Sequence, residues 1–204
     1  MQLDHLAWAT PSLDEAVAEV ERLSGIRAAP GGSHPGMGTR NALLSLGPSL
    51  YLAIDGPDPA QPQVDNNGAR MAALASPEMA VFIMATTAIQ EKRAVLDRLG
   101  FEPAVKRLSR KRRNGAEIEW LALEAQRHPF GMAMPVITQW ITSQHPSDDA
   151  PGGCSLVDFT VHSPDAKALT TVFEALGMTI PVALAPTTRL AADFSGPKGT
   201  FSLA

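Results

Sequence analysis

Histidine titrates near neutral pH and is the side chain best suited to moving protons, so the five histidines are the first candidates for chemistry. His5 lies in an apolar run close to the N-terminus, Leu3-Asp4-His5-Leu6. It reads either as a proton-transfer residue or as a histidine satisfied by hydrogen bonds in a half-buried strand. His34 sits in the stretch Gly31-Gly32-Ser33-His34-Pro35-Gly36-Met37-Gly38, read as a loop. Its glycines allow backbone to approach a ligand closely, and a solvated histidine is the alternative. Thr39 and Asn41 follow, either pairing that loop's backbone or touching a ligand. His145 falls in a Pro- and Asp-rich linker, where it is a lid residue or has no role, while His128 and His162 lack supporting context.

The basic run Lys106, Arg107, Arg110, Lys111, Arg112, Arg113 flanks an Asn114-Gly115 turn and reads as a solvated hairpin tip. Arg110 is the member that could reach inward, where a guanidinium binds an anionic group through two parallel hydrogen bonds. The run lacks interleaved aromatics, and the chain carries a net charge of −4, so neither nucleic acid nor an anionic membrane is an expected partner. Cys154, the single cysteine, excludes an intrachain disulfide and a zinc site of paired cysteines. No nucleophile elbow, phosphate loop or dinucleotide fingerprint occurs, and Gly31-Gly32 precedes a strand rather than a helix. With 45% hydrophobic and 19% charged residues the 204-residue chain can bury a core. It has no run of ~18 apolar residues and no basic-then-apolar leader, so a cytoplasmic protein is expected.

Three similar segments position these residues. Residues 55–68 and 143–153, dense in proline and turn formers, separate them. Each segment opens with a short apolar run (3–9, 79–85 and 156–162) and continues into a helix with one apolar stripe. Helix starts are expected from Ser12 with Glu15, Thr87 with Gln90, and Ser163 before Pro164. Each helix stops at a glycine, and Gly25, Gly100 and Gly177 recur at nearly equal intervals. Material for three further strands follows each stop: 26–29, 39–46 and 49–55 in the first unit, 105–112, 116–124 and 135–141 in the second, 182–185, 189–195 and 199–203 in the third. Every unit reads βαβββ.

Tandem βαβββ units resemble the vicinal oxygen chelate superfamily, and the local sequence resembles its glyoxalase-like domain family. The matching pieces are Leu3-Asp4-His5-Leu6, the stretch from Gly31 through Thr39-Arg40-Asn41, Tyr51-Leu52-Ala53-Ile54, Ser109-Arg110 with Asn114-Gly115 and Trp120, and Pro135 to Trp140 followed by His145-Pro146. The resemblance implies an α+β fold. Paired modules at 3–56 and 78–142, within residues 1–142, would form a curved mixed sheet around a cavity with helices outside. A third module at 153–204 would pack on this cup or lie at a dimer interface. A small oxygenated or carbonyl-bearing molecule is the implied ligand. The implied activity is that of a lyase or isomerase with His5 and His34 catalytic; a non-catalytic sequestering protein of the bleomycin-resistance type is the alternative.

Alternation along the first strand puts Leu3, His5 and Ala7 on one face and Leu6 and Trp8 on the other, which turns His5 toward the cup. Asn41, Tyr51, Arg110 and Gln139 are expected to bind substrate there. In metal-dependent relatives a fourth-strand carboxylate joins the first-strand histidine, but here that position is Ala53. Aligning the second unit's opening strand on the first puts Val81 at the position equivalent to His5, and its closing strand offers Gln139. Alanine and valine donate nothing to a cation, so no metal or other cofactor is expected. Because superfamily cups use two modules, the third is expected to pair with a second copy, giving a homodimer through residues 154–204.

Overall fold

The computed structural model describes every residue except 112–114, 116 and 143, with Lys111 described by its backbone alone. The Asn114 turn, Arg112 and Arg113 lie outside the described residues. The first unit comprises β1 (Gln2–Ala9), α1 (Leu13–Ser24), β2 (Ala29–His34), β3 (Thr39–Gly47) and β4 (Leu50–Pro57). A short α2 (Asn67–Ala72) begins at the end of the first linker and continues past it. The second unit comprises β5 (Glu78–Ala85), α3 (Ile89–Arg98), β6 (Pro103–Lys111), β7 (Glu117–Ala125) and β8 (Val136–Trp140). After the second linker come β9 (Ser155–Ser163), α4 (Ala166–Leu176), β10 (Val182–Leu184), β11 (Arg189–Gly196) and β12 (Gly199–Leu203).

The first two units share one sheet in the order β2-β3-β4-β1-β5-β8-β7-β6. Its halves are mirror images in strand order. They meet where β1 runs antiparallel to β5, while β1 with β4 and β5 with β8 are parallel. The sheet curls into a half-barrel. The third unit has the expected βαβββ order along the chain but not the module's pairing: its sheet runs β10-β9-β11-β12. Its first strand therefore pairs with the second and third, whereas β1 pairs with the fourth strand of its unit. Apolar spacing specifies elements; it leaves the choice of neighbour to tertiary packing.

One apolar core joins all three units. The convex face of the large sheet supplies Leu6, Trp8, Leu44, Leu52, Phe82 and Met84, and the four-stranded sheet and α4 supply Phe159, Phe173, Leu190 and Phe194. Phe82 lies at the junction, 5.2 Å from Phe159 and 6.1 Å from Phe173 between ring centres. The apolar face of residues 154–204 is thus covered within the chain. This is the first of the two expected arrangements, with the third unit packed on the cup.

Local details also differ from expectation. β2 includes Gly31 to His34 of the glycine-rich segment, so His34 ends a strand paired with β3 at Thr39, and residues 35–38 form the turn between them. Ser12 makes no side-chain cap; Thr10 Oγ1 instead accepts from the Ser12 amide and donates to its carbonyl. The first residue of α3 is capped from outside its own segment, because the Ile89 amide donates to Gln139 Oε1 at 3.0 Å. Gly25 and Gly177 end α1 and α4 in the left-handed conformation, as their type requires.

Candidate active site

The concave face of the large sheet encloses a cavity of about 170 Å³. Alternation decides what enters it. β4 contributes Tyr51, Ala53 and Asp55, β6 contributes Leu108 and Arg110, and β8 contributes Val136, Thr138 and Trp140. β1 contributes His5, which pairs with Ile83 of β5.

A register shift in β1 between Leu3 and His5 breaks the simple alternation. Leu3 packs toward the convex core with Leu6, while Asp4 turns to the same group of side chains as His5. Asp4 is 1% exposed and receives three N–H donors. His5 Nδ1 lies 2.6 Å from Oδ1; Trp140 Nε1 and His145 Nε2 lie 2.7 and 3.2 Å from Oδ2. Burial by itself would raise the Asp4 pKa. The hydrogen bonds from His145, His5 and Trp140 outweigh it and hold the carboxyl well below the usual carboxylate range. An ionised Asp4 accepts from His5 Nδ1–H, which leaves the lone pair on Nε2. Tyr51 stacks on the His5 ring at 4.3 Å and 13° and fixes its plane. Burial raises the Tyr51 pKa well above its ordinary value, so the phenol stays protonated.

A second polar group faces the first. Asn41 Nδ2 donates to His34 Nε2 at 3.3 Å, and His34 Nδ1 then donates to Thr39 Oγ1 at 2.9 Å. Gly31 makes room for Asn41, since a β-carbon there would stand 2.3 Å from Asn41 Oδ1. Arg110, 9% exposed, donates from Nη1 to the Gly31 carbonyl at 2.8 Å. Its neighbour Arg107 points outward to pair with Glu119 at the surface. Asp55 stands across the β3–β4 ladder from Asn41, and its buried Oδ1 takes no hydrogen bond from the described residues. Burial pushes the Asp55 carboxyl up, against opposing effects from His34, His5, Asn41 and Arg110. Burial likewise pushes the His34 imidazole down. Each environment thus shifts its group toward the neutral form.

The structure brings His5, His34, Asn41, Tyr51 and Arg110 to one cavity. Gln139 is not among them. In β8 the inward residues are 136, 138 and 140, so Ile137 enters the convex core and Gln139 caps α3. The sequence reading was one residue out of step, and a slip of one moves a strand residue to the other face. Sequence reasoning also passed over Asp4, Asp55 and Trp140, and it left His145 undecided. Asp55 has a legible signal in hindsight, since it follows Tyr51 and Ala53 by steps of two. The bulge that aims Asp4 has none.

A resident divalent metal does not fit these residues. Among the described residues no three His, Cys, Asp or Glu side chains are grouped to hold one. Around His5 the wall offers Ala53 and Ile83, which lack donor atoms, and Asp4 already engages Nδ1.

A sequence model described as a glyoxalase-like domain matches residues 3–177. The chain belongs to the glyoxalase-like domain family. Its paired βαβββ sheet is that of the vicinal oxygen chelate superfamily. Among solved structures, a hypothetical protein from Staphylococcus aureus superposes on this glyoxalase-like protein with a TM-score of 0.64 at 15% identity, covering 98% of this chain and 84% of the other. Methylmalonyl-CoA epimerase from Mycobacterium tuberculosis matches at a TM-score of 0.43 and 18% identity, over 68% of this chain and 86% of that one. A Streptomyces coelicolor methylmalonyl-CoA epimerase in complex with 2-nitronate-propionyl-CoA gives 0.45 and 19%, over 71% and 99%. No curated protein sequence matches. Among the described residues no helix is long and apolar enough to cross a membrane.

Proposed function

We propose that this glyoxalase-like protein is a lyase or isomerase that shifts a proton within a small carbonyl-bearing molecule, with His5 as the base. The observation that carries this reading is the 2.6 Å contact between Asp4 Oδ1 and His5 Nδ1. A carboxylate held ionised in that position orients the imidazole, fixes its tautomer and stabilises the imidazolium that forms when Nε2 takes a proton. His5 removes a proton from the carbon beside the carbonyl, and the C–H electron pair moves to form the enolate. Return of the proton to a neighbouring atom gives an isomer; departure of a group from the adjacent carbon, with its bonding electrons, gives a lyase product.

Arg110 supports the same reading as a cation lining the cavity that His5 enters, where it would stabilise a developing oxyanion. Asp55 Oδ1, buried without a donor among the described residues, suits a ligand hydroxyl or N–H. The volume suits a ligand of modest size, given that a cavity of ~150 Å³ admits benzene. His34 is here a positioning residue for Asn41. Ala53, which carries no donor, favours a second reading in which the cup only sequesters its ligand.

The test is a thermal-shift screen of small 2-oxo acids, 2-hydroxy acids, hydroxyketones and aldehydes, followed by NMR of each binder incubated with the protein. Chemical change in a binder, lost on His5→Gln, is the expected result. Unchanged binders support sequestration, and absence of any binder contradicts both readings.

A further inference from the structure

We propose that His145, carried on the linker between the second unit and the four-stranded sheet, is a positioning residue that holds His5 in its working tautomer through Asp4. The inference rests on the reading of His5 as the base.

Its geometry starts from the linker. The short 3-10 turn Pro146–Asp148 begins at His145, whose amide donates to Asp148 Oδ2 at 3.0 Å. The Ser147 amide donates back to His145 Nδ1 at 3.2 Å, and the Ser147 hydroxyl, 2.8 Å from the same nitrogen, is a second group able to donate to it. An Nδ1 that accepts cannot also bear the proton of a neutral imidazole, so that proton is on Nε2. Nε2 is the atom 3.2 Å from Asp4 Oδ2. The turn therefore presents His145 to Asp4 as a donor. Farther along, the Ser45 amide of β3 donates to the Pro151 carbonyl at 2.9 Å and ties the linker to the large sheet.

The ring of His145 is held as closely as its nitrogens. It meets Tyr51 at 5.5 Å and 63°, and Trp140 at 5.4 Å and 79°, edge-on in both cases. Tyr51 is the ring that stacks on His5, and Trp140 is the other donor to Asp4 Oδ2. His145 thus touches both groups that support His5, the carboxylate and the stacked phenol. Two donors on Oδ2 set the plane of the Asp4 carboxylate, and that plane directs Oδ1 at His5 Nδ1. With one donor gone the carboxylate turns toward Trp140, the bond to His5 loosens, and the imidazole is free to carry its proton on either nitrogen. The two paired units supply Asp4, His5 and Tyr51; only the linker beyond them supplies His145.

Full-length protein labelled with 15N-histidine tests this without a ligand, by long-range 1H–15N correlation at pH 8, where an ordinary histidine is neutral. The expected wild-type spectrum shows His5 protonated on Nδ1 alone and His145 on Nε2 alone. His145→Phe keeps a ring but no donor, and should raise the Nε2–H share of His5 at least fivefold. His145→Gln keeps an N–H donor and should restore the single tautomer. A purely structural role would lower the melting temperature in both variants and leave the His5 tautomer unchanged; that result overturns the proposal. So does a wild-type His145 protonated on Nδ1, a measurement that decides the matter even if His145→Phe does not fold. The expected spectra in a protein that transforms no ligand would contradict the proposed function and uphold the positioning.

Discussion

Arg110 on β6 and Gly31 on β2 belong to the two opposite edges of the eight-stranded sheet, yet Arg110 Nη1 donates to the Gly31 carbonyl at 2.8 Å. The bond spans the mouth of the half-barrel. One buried guanidinium therefore serves both the curl of the sheet and the cavity it encloses. Arg110→Leu removes both, and should lower stability by about 1.5–3 kcal/mol, the range for a hydrogen bond to a charged group. Arg110→Lys, without the planar fork, should restore less than half of the loss. Denaturant unfolding of the three proteins checks this, and equal stability would contradict it.

Asp55 is costly where it stands. Its pKa is raised in the fold, so between the unfolded value of ~3.9 and the higher folded value the unfolded chain holds fewer protons than the native one, and stability falls as pH rises. Asp55→Asn should therefore raise the melting temperature at pH 7 by roughly 2–4 °C, as ~1 kcal/mol does in a chain of this size. The gain should shrink toward pH 4. A variant less stable than wild type at pH 7 would contradict the sign.

Asp4 has the opposite sign. Its folded pKa is depressed, so its contribution is complete above the unfolded value of ~3.9 and is lost only as pH falls toward the depressed folded value. Asp4→Ala should cost about 3 kcal/mol at pH 7, because three buried donors lose their partner. Melting curves of the two proteins should stay equally far apart from pH 7 to pH 5 and converge only in stronger acid.

Gln139→Ala should cost about 1 kcal/mol, the worth of a helix N-cap, and leave ligand affinity unchanged. Thr138→Val, one residue away on the cavity face, should shift ligand affinity, and losing the Oγ1 bond to the Leu121 carbonyl should cost about 1 kcal/mol. Calorimetry on both variants separates the two faces of β8.

Much of this molecule is legible in its sequence. The capping glycines, the apolar stripes and the turn-rich linkers mark the units, and steps of two along β4 lead from Tyr51 to Asp55. Three features are not legible, each for a physical reason. The bulge in β1 depends on pairing with β5, and no local residue pattern announces it. The strand order of the third unit is a matter of tertiary packing, which apolar spacing does not encode. The register of β8 is ambiguous because Val136, Ile137 and Thr138 are all compatible with either face. His145 was visible as a residue, but its role needed a contact with Asp4, 141 positions earlier.

The most direct test of His5 as the base is solvent deuterium exchange. A carbonyl compound that binds the protein is incubated in deuterium oxide, and loss of the proton beside its carbonyl is followed by NMR with wild type and His5→Gln. The account predicts protein-dependent exchange that falls by about 10²–10⁴-fold in the variant, the usual worth of a general base. Exchange of equal rate in both proteins, or none in wild type with a bound ligand bearing such a proton, would contradict it.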